Sequence, residues 1–436
     1  MQSLHLMLIL LLISWEDKTI ASKCFRMKKR CSCPIESNIT FVDLMGCMTA
    51  EILELRDGNV DKLLPALETS NILHTFFLEQ TTIIFTRASV SQQFLKKFKD
   101  FVTKATNLVL DNSSLTGFEK EINANINMSM TSITLINVSN SFSKIMSLSS
   151  LIGGLQMLKE LSVISSQVFS VPHNISQQLS MLHALDLSGN PLNVQGVNHF
   201  ICQGCFLQLT TLKLQNCNLS SFEDICLTLQ GMKKLKYLHL SQNNFLNPLS
   251  SCSWQQSFHT FNMSSTNIEY TFGYLPQQVE VLDLSNNKLK VLNGTLPNVI
   301  TLDLSNNQLL QLPSLMNFPN LRNLRIDGNG ISHLGKEELS TLYNLTALKA
   351  GGNTFRCDCE FIAMKEDLVK LVSKMEDWPA GYVCDSPSSL NGTLIKDISD
   401  SLYQCHKTLL LILIIVGTTF VIGILAIVFY RICTRK

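Results

Sequence analysis

The stretch Val279–Leu292, "VEVLDLSNNKLKVL", is followed twenty residues later by "VITLDLSNNQLLQL" at Val299–Leu312. Both fit the frame L-x-x-L-x-L-x-x-N-x-L. Val279, Leu282, Leu284, Asn287 and Leu289 fill it once, and Val299, Leu302, Leu304, Asn307 and Leu309 fill it again. The frame continues outward at Leu182–Leu192, Leu209–Leu219, Leu235–Phe245, Phe258–Ile268, Leu321–Ile331 and Leu345–Phe355. Weaker copies start near Ala50, Leu73, Ala105, Met130 and Leu158, which makes about thirteen units. Alternate apolar residues in L-x-L point inward from a short strand. The recurrent asparagine supplies an amide that can satisfy backbone groups between successive turns, where an unpaired group is costly. One repeat cannot bury its own face, so neighbours stack. The expected fold is therefore α/β: a leucine-rich-repeat solenoid, curved, with parallel strands on its concave face.

Cys217 takes the asparagine position in "LKLQNCNL" and reads as a buried free thiol of the ladder. A solenoid leaves two open ends that need caps. Cys24, Cys31, Cys33 and Cys47 precede the first repeat; Cys357, Cys359, Cys384 and Cys405 follow the last. Such clusters are either disulfide caps or zinc sites, and an exported chain favours disulfides.

Export is indicated at both ends. "LHLMLILLLIS" (Leu4–Ser14) has the length of a signal-peptide core, although no Lys or Arg precedes it; a buried amino-terminal helix is the alternative. From Leu409 to Tyr430 no residue is charged. Twenty-two helical residues rise about 33 Å, enough to cross a bilayer core. "RICTRK" then places Arg431, Arg435 and Lys436 as a positive-inside stop. The expected organisation is a signal peptide at 1–22, an amino-terminal cysteine cap at 23–49, repeats at 50–355, a carboxyl-terminal cap at 356–406, a transmembrane helix at 408–430 and a cytoplasmic tail at 431–436. The expected localisation is the cell membrane, single-pass with the amino terminus outside, with a shed or secreted form as a variant. Sequons at Asn38, Asn112, Asn127, Asn137, Asn174, Asn218, Asn262, Asn293, Asn344 and Asn391 fit a glycosylated outer surface.

The chain carries 35 basic and 34 acidic residues, a net charge of +1, without the basic excess of a nucleic-acid binder. Nine histidines form no H-E-x-x-H pair, and there is neither a G-x-S-x-G elbow nor a phosphate-cradling glycine loop. The sequence therefore predicts a binding protein rather than an enzyme, with no metal and no cofactor.

The cysteine contexts "CFRMKKRCSC…GC", "DICLTL" at Cys226 and "SSCSWQQS" at Cys252 resemble the monocyte differentiation antigen family, co-receptors for bacterial lipopolysaccharide. The resemblance covers about residues 24–330. It implies bridges Cys24–Cys33, Cys31–Cys47 and Cys226–Cys252. The family's other internal bridge lacks its upstream cysteine in "QVFSVPH", leaving Cys202 and Cys205 as candidates to pair with each other. "FRCDCEF", "DWPAGYVCDSPSSLNGT" and "YQCHKTLLL" look instead like the carboxyl cap of Toll-like receptors, a pattern that implies Cys357–Cys384 and Cys359–Cys405.

The resemblance further implies an amphiphilic ligand, lipopolysaccharide or lipopeptide. Its acyl chains need an apolar cavity and its phosphates need cations. The irregular amino-terminal quarter offers apolar candidates in Phe76, Phe77, Leu78, Ile83, Ile84, Phe85, Phe94, Leu95, Phe98 and Phe101, for each of which ordinary core is the competing reading. Cationic candidates are Arg26, Lys28, Lys29 and Arg30 in the cap, and Lys96, Lys97 and Lys99 on the polar side of "FLKKFKDF"; a plain solvated surface is the alternative. Implied partners are a Toll-like receptor complex, lipopolysaccharide-binding protein and a second copy in a homodimer. Three functions remain open at this point: a pattern-recognition co-receptor, a decoy Toll-like receptor without a signalling domain, and a leucine-rich adhesion protein.

Overall fold

The computed structural model describes residues 23–37, 39–40, 43–44, 46–47, 49–68, 81–100, 102, 104–117, 130–149, 154–200, 205–245, 252–271, 275–363, 365–398 and 407–434. The signal-peptide segment lies outside them, as do Asn38, Asn127, Cys202, Cys405, Arg435 and Lys436.

The repeats form the expected stack of parallel strands. In the first of two compact units, Met1–Asp283, the sheet begins with the antiparallel hairpin β1 (Phe25–Met27) and β2 (Arg30–Pro34). It continues in parallel through β3 (Ile52–Asn59), β4 (Thr82–Ser91) and β5 (Asn107–Asp111). The short β6 (Ser114–Thr116) adds to the far end of β4. Then follow β7 (Ser132–Ile136), β8 (Glu160–Ile164), β9 (Ala184–Asp186), β10 (Thr211–Lys213), β11 (Tyr237–His239), β12 (Phe258–Asn262) and β13 (Val279–Asp283). The second unit, Leu284–Lys436, holds β14 (Thr301–Asp303), β15 (Asn323–Arg325) and β16 (Ala347–Lys349), also parallel.

One expected unit shifts. A repeat starting near Leu73 would have placed Phe76 and Leu78 as its inward pair. The strand instead runs over Thr82–Ser91, with Ile83 and Phe85 buried. Consecutive β-branched residues at 81–84 make that segment the better strand former.

Each turn bends at one residue in the left-handed region, directly before the ladder position: Asp57, Arg87, Asn112, Asn137, Ser165, Gly189, Asn216, Gln242, Ser265, Asn286, Asn306, Gly328 and Gly352. A polar or glycine residue suits that conformation. At Gly328 there is a second reason for glycine, because a Cβ would run into the side chain of Asn306.

The ladder behaves as its chemistry requires. Asn307 donates from Nδ2 to the carbonyls of Leu284 and Leu304, each at 3.0 Å, while its Oδ1 accepts from Leu289 N at 3.0 Å. Asn190, Asn243, Asn329 and Asn353 repeat the pattern. Cys217 is a buried free thiol whose sulfur contacts the Leu187 carbonyl at 3.3 Å and the Gln215 carbonyl at 3.4 Å. Burial pushes its pKa up to about 12, so it is inert as a nucleophile.

Among the described cysteines, disulfides join Cys24 to Cys33, Cys31 to Cys47, Cys226 to Cys252 and Cys357 to Cys384. Cys205 and Cys359 are also disulfide-bonded. The sulfurs of Cys24, Cys33 and Cys47 lie within 4.8 Å of one another, but the two bridges already engage them. In the carboxyl-terminal cap, Tyr382 stacks on Phe355 with ring centroids 5.9 Å apart, and its hydroxyl accepts from Ala350 N at 3.1 Å. Asp377 Oδ2 accepts from Gly351 N at 2.8 Å, so the cap closes the last turn through backbone amides. A single helix, Lys407–Cys433, follows. Its stretch Leu410–Arg431 is long and apolar enough to cross a membrane, and none of it is buried.

Candidate functional site

Strand register divides the amino-terminal apolar residues between two faces. On β3 and β4 the residues Leu53, Leu55, Ile83 and Phe85 point into the core, with exposures of 0 to 2%. The helix Gln92–Phe98 is capped by Ser91, whose Oγ accepts from Phe94 N at 3.0 Å. It brings Phe94 and Phe98 onto Phe85, with ring centroids 6.2 and 6.4 Å away, and the two helix rings stack at 5.0 Å. These rings are 0 to 2% exposed. The reading of Ile83, Phe85, Phe94 and Phe98 as ligand lining is therefore corrected. They fill the space behind the strands, because a helix packed on a sheet needs bulky side chains there. Leu95 is half-buried on the same helix. Phe76, Phe77, Leu78 and Phe101 lie outside the described residues.

Ile84 points the other way. It pairs in register with Glu54 on one side and Val109 on the other, on the open face of the sheet. Ile52, Ile84, Val109, Ile136 and Ile164 are all half-buried there. The register carries the same face into later turns, where the position of Ile84 is taken by Asp186, Lys213, His239, Asn262 and Asp283. The row of Ile84 thus reads Glu54, Ile84, Val109, Thr134 and Ser162 before these. Ile52 lies in the row two residues before it, and Ile136 and Ile164 in the row two residues after. The early turns therefore present scattered aliphatic side chains where the later ones present charge. Ile84 and Val109 are the middle residues of their L-x-L pairs, whereas Ile52, Ile136 and Ile164 flank theirs, so the sequence frame marks only the first two.

Charges border these side chains. Glu54 receives Arg30 Nη2 at 2.9 Å and the Thr86 hydroxyl at 3.0 Å. Burial opposes its ionisation, but these hydrogen bonds and the Arg30 charge hold its carboxyl below the ordinary range. Lys29 pairs with Glu51 at 2.9 Å. Arg26 and Lys28 are exposed and have no carboxylate partner among the described residues. Lys96, Lys97 and Lys99 ride on the helix behind the strands, and Lys99 lies 3.8 Å from Asp100. The two basic clusters therefore sit on different sides of the sheet: one at its edge, the other behind it.

Further along the open face, Lys213 Nζ lies 3.5 Å from Asp186. Burial and the Lys213 charge lower the pKa of His239, against the opposing pull of Asp186 and Asp283. Among the sequon asparagines, Asn112, Asn137, Asn174, Asn218, Asn293, Asn344 and Asn391 are exposed. Asn137 Nδ2 donates to Asn112 Oδ1 at 2.6 Å, and Asn262 Nδ2 donates to Asp283 at 2.6 Å.

The Leucine Rich Repeat family profile matches residues 278–301. Toll-like receptor 2 of Homo sapiens is 32% identical over 381 residues, 85% of this chain and 48% of the relative. The Canis lupus familiaris protein of that name is 37% identical over 253 residues, 58% of this chain and 32% of its own length. The chain is a leucine-rich-repeat homologue of Toll-like receptor 2. It spans about half the length of the curated relatives it matches. Like those receptors it is not an enzyme. Among solved structures, a chain of the mouse RP105/MD-1 complex is similar at a TM-score of 0.39 and 17% identity, covering 85% of this chain and 82% of that one.

Proposed function

We propose that this chain is a cell-surface pattern-recognition co-receptor of innate immunity, which captures bacterial lipopolysaccharide or lipopeptide on its amino-terminal turns and delivers it to a Toll-like receptor complex. The observation that carries the reading is the group Ile52, Ile84, Val109, Ile136 and Ile164, half-buried on three adjacent rows of the open face, where the row of Ile84 in later turns presents charge. Burying such a group under acyl chains is favourable by ~25 cal/mol per Å² of apolar area, and Arg30 stands beside it for a phosphate. Homology to Toll-like receptor 2 over most of the chain supports receptor duty. The span Leu410–Arg431 supports a membrane anchor, with the repeats outside and Arg431 at the inner surface. Lipopolysaccharide-binding protein is the proposed donor of lipid, and a homodimer the proposed assembly.

The test is lipid capture by the full chain in phosphatidylcholine nanodiscs. Ile84→Asp places a charge where acyl carbons would lie, and should abolish capture while leaving the melting temperature within a few degrees of the parent. Normal capture by the folded variant would remove the open face as the site.

A further inference from the structure

The hairpin at the edge of the first unit carries a feature that capture of single lipid molecules does not use. All three residues of β1 are exposed, including Phe25 at 63% and Met27 at 62%. Large apolar side chains on an edge strand work against solubility, and edge strands are commonly blunted by charge, proline, bulges or a covering element. Here the two kinds alternate, as Phe25-Arg26-Met27-Lys28, and the turn brings Lys29 and Arg30 beside them. Phe25 pairs in register with Ser32 and Met27 with Arg30, so both apolar side chains stand on the open-face side of the sheet. Arg26 and Lys28 have no carboxylate partner among the described residues, and no acidic residue lies between Lys23 and Pro34.

We propose that this hairpin is an interfacial anchor that docks the protein onto an anionic bilayer surface, with Phe25 and Met27 entering the headgroup boundary and Arg26 and Lys28 on the lipid phosphates. Apolar insertion combined with attraction to anionic headgroups is the physics of interfacial binding. The charge selects this occupant over a second copy of the chain. Two identical hairpins meeting edge to edge would bring the two Arg26 and two Lys28 cations together without a carboxylate between them, whereas a phosphate surface neutralises them. The anchor acts on an assembled lipid surface and is independent of whether a single acyl chain packs on the side chains around Ile84.

The experiment measures binding of phosphatidylglycerol and phosphatidylcholine vesicles to the full chain in phosphatidylcholine nanodiscs. The parent should bind the anionic vesicles and not the zwitterionic ones, more weakly as salt rises. Phe25→Ser with Met27→Ser should weaken anionic-vesicle binding at least tenfold. Arg26→Gln with Lys28→Gln should weaken it and flatten its salt dependence. Both pairs are surface changes, so both variants should melt with the parent. Ile84→Asp should still dock on vesicles even where it no longer captures lipid. The proposal falls if both hairpin variants bind like the parent. It also falls if only Ile84→Asp loses docking, or if the hairpin variants lower the particle mass by light scattering with vesicle affinity unchanged.

Discussion

The turns between Ile52 and Ser166 and those between Leu284 and Asn353 solve one problem in two ways. Both bend at a left-handed residue, and both must satisfy the backbone groups that the bend leaves inside. In the later turns the strands β14, β15 and β16 are three residues long, and Asn287, Asn307, Asn329 and Asn353 take over beyond them. In the earlier turns the corresponding residues are Gly58, Ala88, Ser113, Val138 and Ser166, none of which can replace the amide in full. There the strands are longer: eight residues in β3 and ten in β4. Their pairing runs on through Gly58 with Ala88 and Asn59 with Ser89, and β6 extends it with Ser89 opposite Ser114. Ser113 adds a partial ladder, accepting from Ala88 N and donating to the Phe85 carbonyl, both at 3.0 Å. The difference teaches that the asparagine is one means of pairing buried backbone and main-chain ladders are another. The second means releases the ladder position from its usual residue, so the earlier turns could diverge while keeping the bend.

The largest expected effect lies in the earlier turns. Phe85→Asp removes a ring fixed between Phe94 and Phe98 and leaves a charge in its place. Loss of the ring alone costs about 3–5 kcal/mol, and an unpaired buried carboxylate adds to that. Chemical denaturation should show the first unit unfolding early, with lipid capture lost for that reason. A variant that melts with the parent would mean that Phe85 lines an open site after all.

Next in size is the ladder itself. Asn307→Leu leaves the Leu289 amide dry, at about 1–3 kcal/mol. It also takes one of two amide donors from the Leu284 and Leu304 carbonyls, which Asn287 and Asn329 still reach. Ser113→Ala leaves the Ala88 amide short of one partner, at about 1 kcal/mol, within a strand that holds its other bonds. Denaturant midpoints for the two variants give the comparison directly. Equal losses would overturn the account of two different solutions.

How much of this was legible in the sequence follows the same divide. Asn287 and Asn307 announce their turns because one side-chain amide there serves buried backbone groups that the short strands leave unpaired. Ile83 and Phe85 are harder to place, since long strands pair through main chain and leave no marker residue; hence the seven-residue displacement of the unit near Leu73. The open-face residues are obscured for a related reason. Aromatic density around Phe94 and Phe98 reflects a helix packed behind the sheet, and alternation on β4 hides Ile84 next to Phe85. The likeness to Toll-like receptors, read at first only in the carboxyl cap, extends over 85% of the chain. Between Cys24 and Cys252 the cysteine contexts carry the resemblance to the monocyte differentiation antigen family.

The smallest expected effect concerns the charged part of the open face, and it sharpens the contrast with the aliphatic side chains of the early turns. His239 stands in register between Lys213 and Asn262, and Asp186 and Asp283 also act on it. Burial and Lys213 together lower its pKa against the two carboxylates. A histidine whose folded pKa is depressed binds fewer protons folded than unfolded, so the unfolded state gains as pH falls. Its contribution is therefore complete above the unfolded value of about 6.5 and is lost progressively below it. His239→Gln should remove part of the fall in melting temperature between pH 7.5 and pH 5 and leave the melting temperature at pH 7.5 nearly unchanged. Ile84 does not titrate, and an amide in its place adds no charge, so Ile84→Asn should keep the parental pH dependence. Differential scanning fluorimetry across that range checks both. An unaltered slope in His239→Gln would assign the acid sensitivity to carboxylates elsewhere, such as Glu54, whose own depressed pKa is lost to protonation at lower pH.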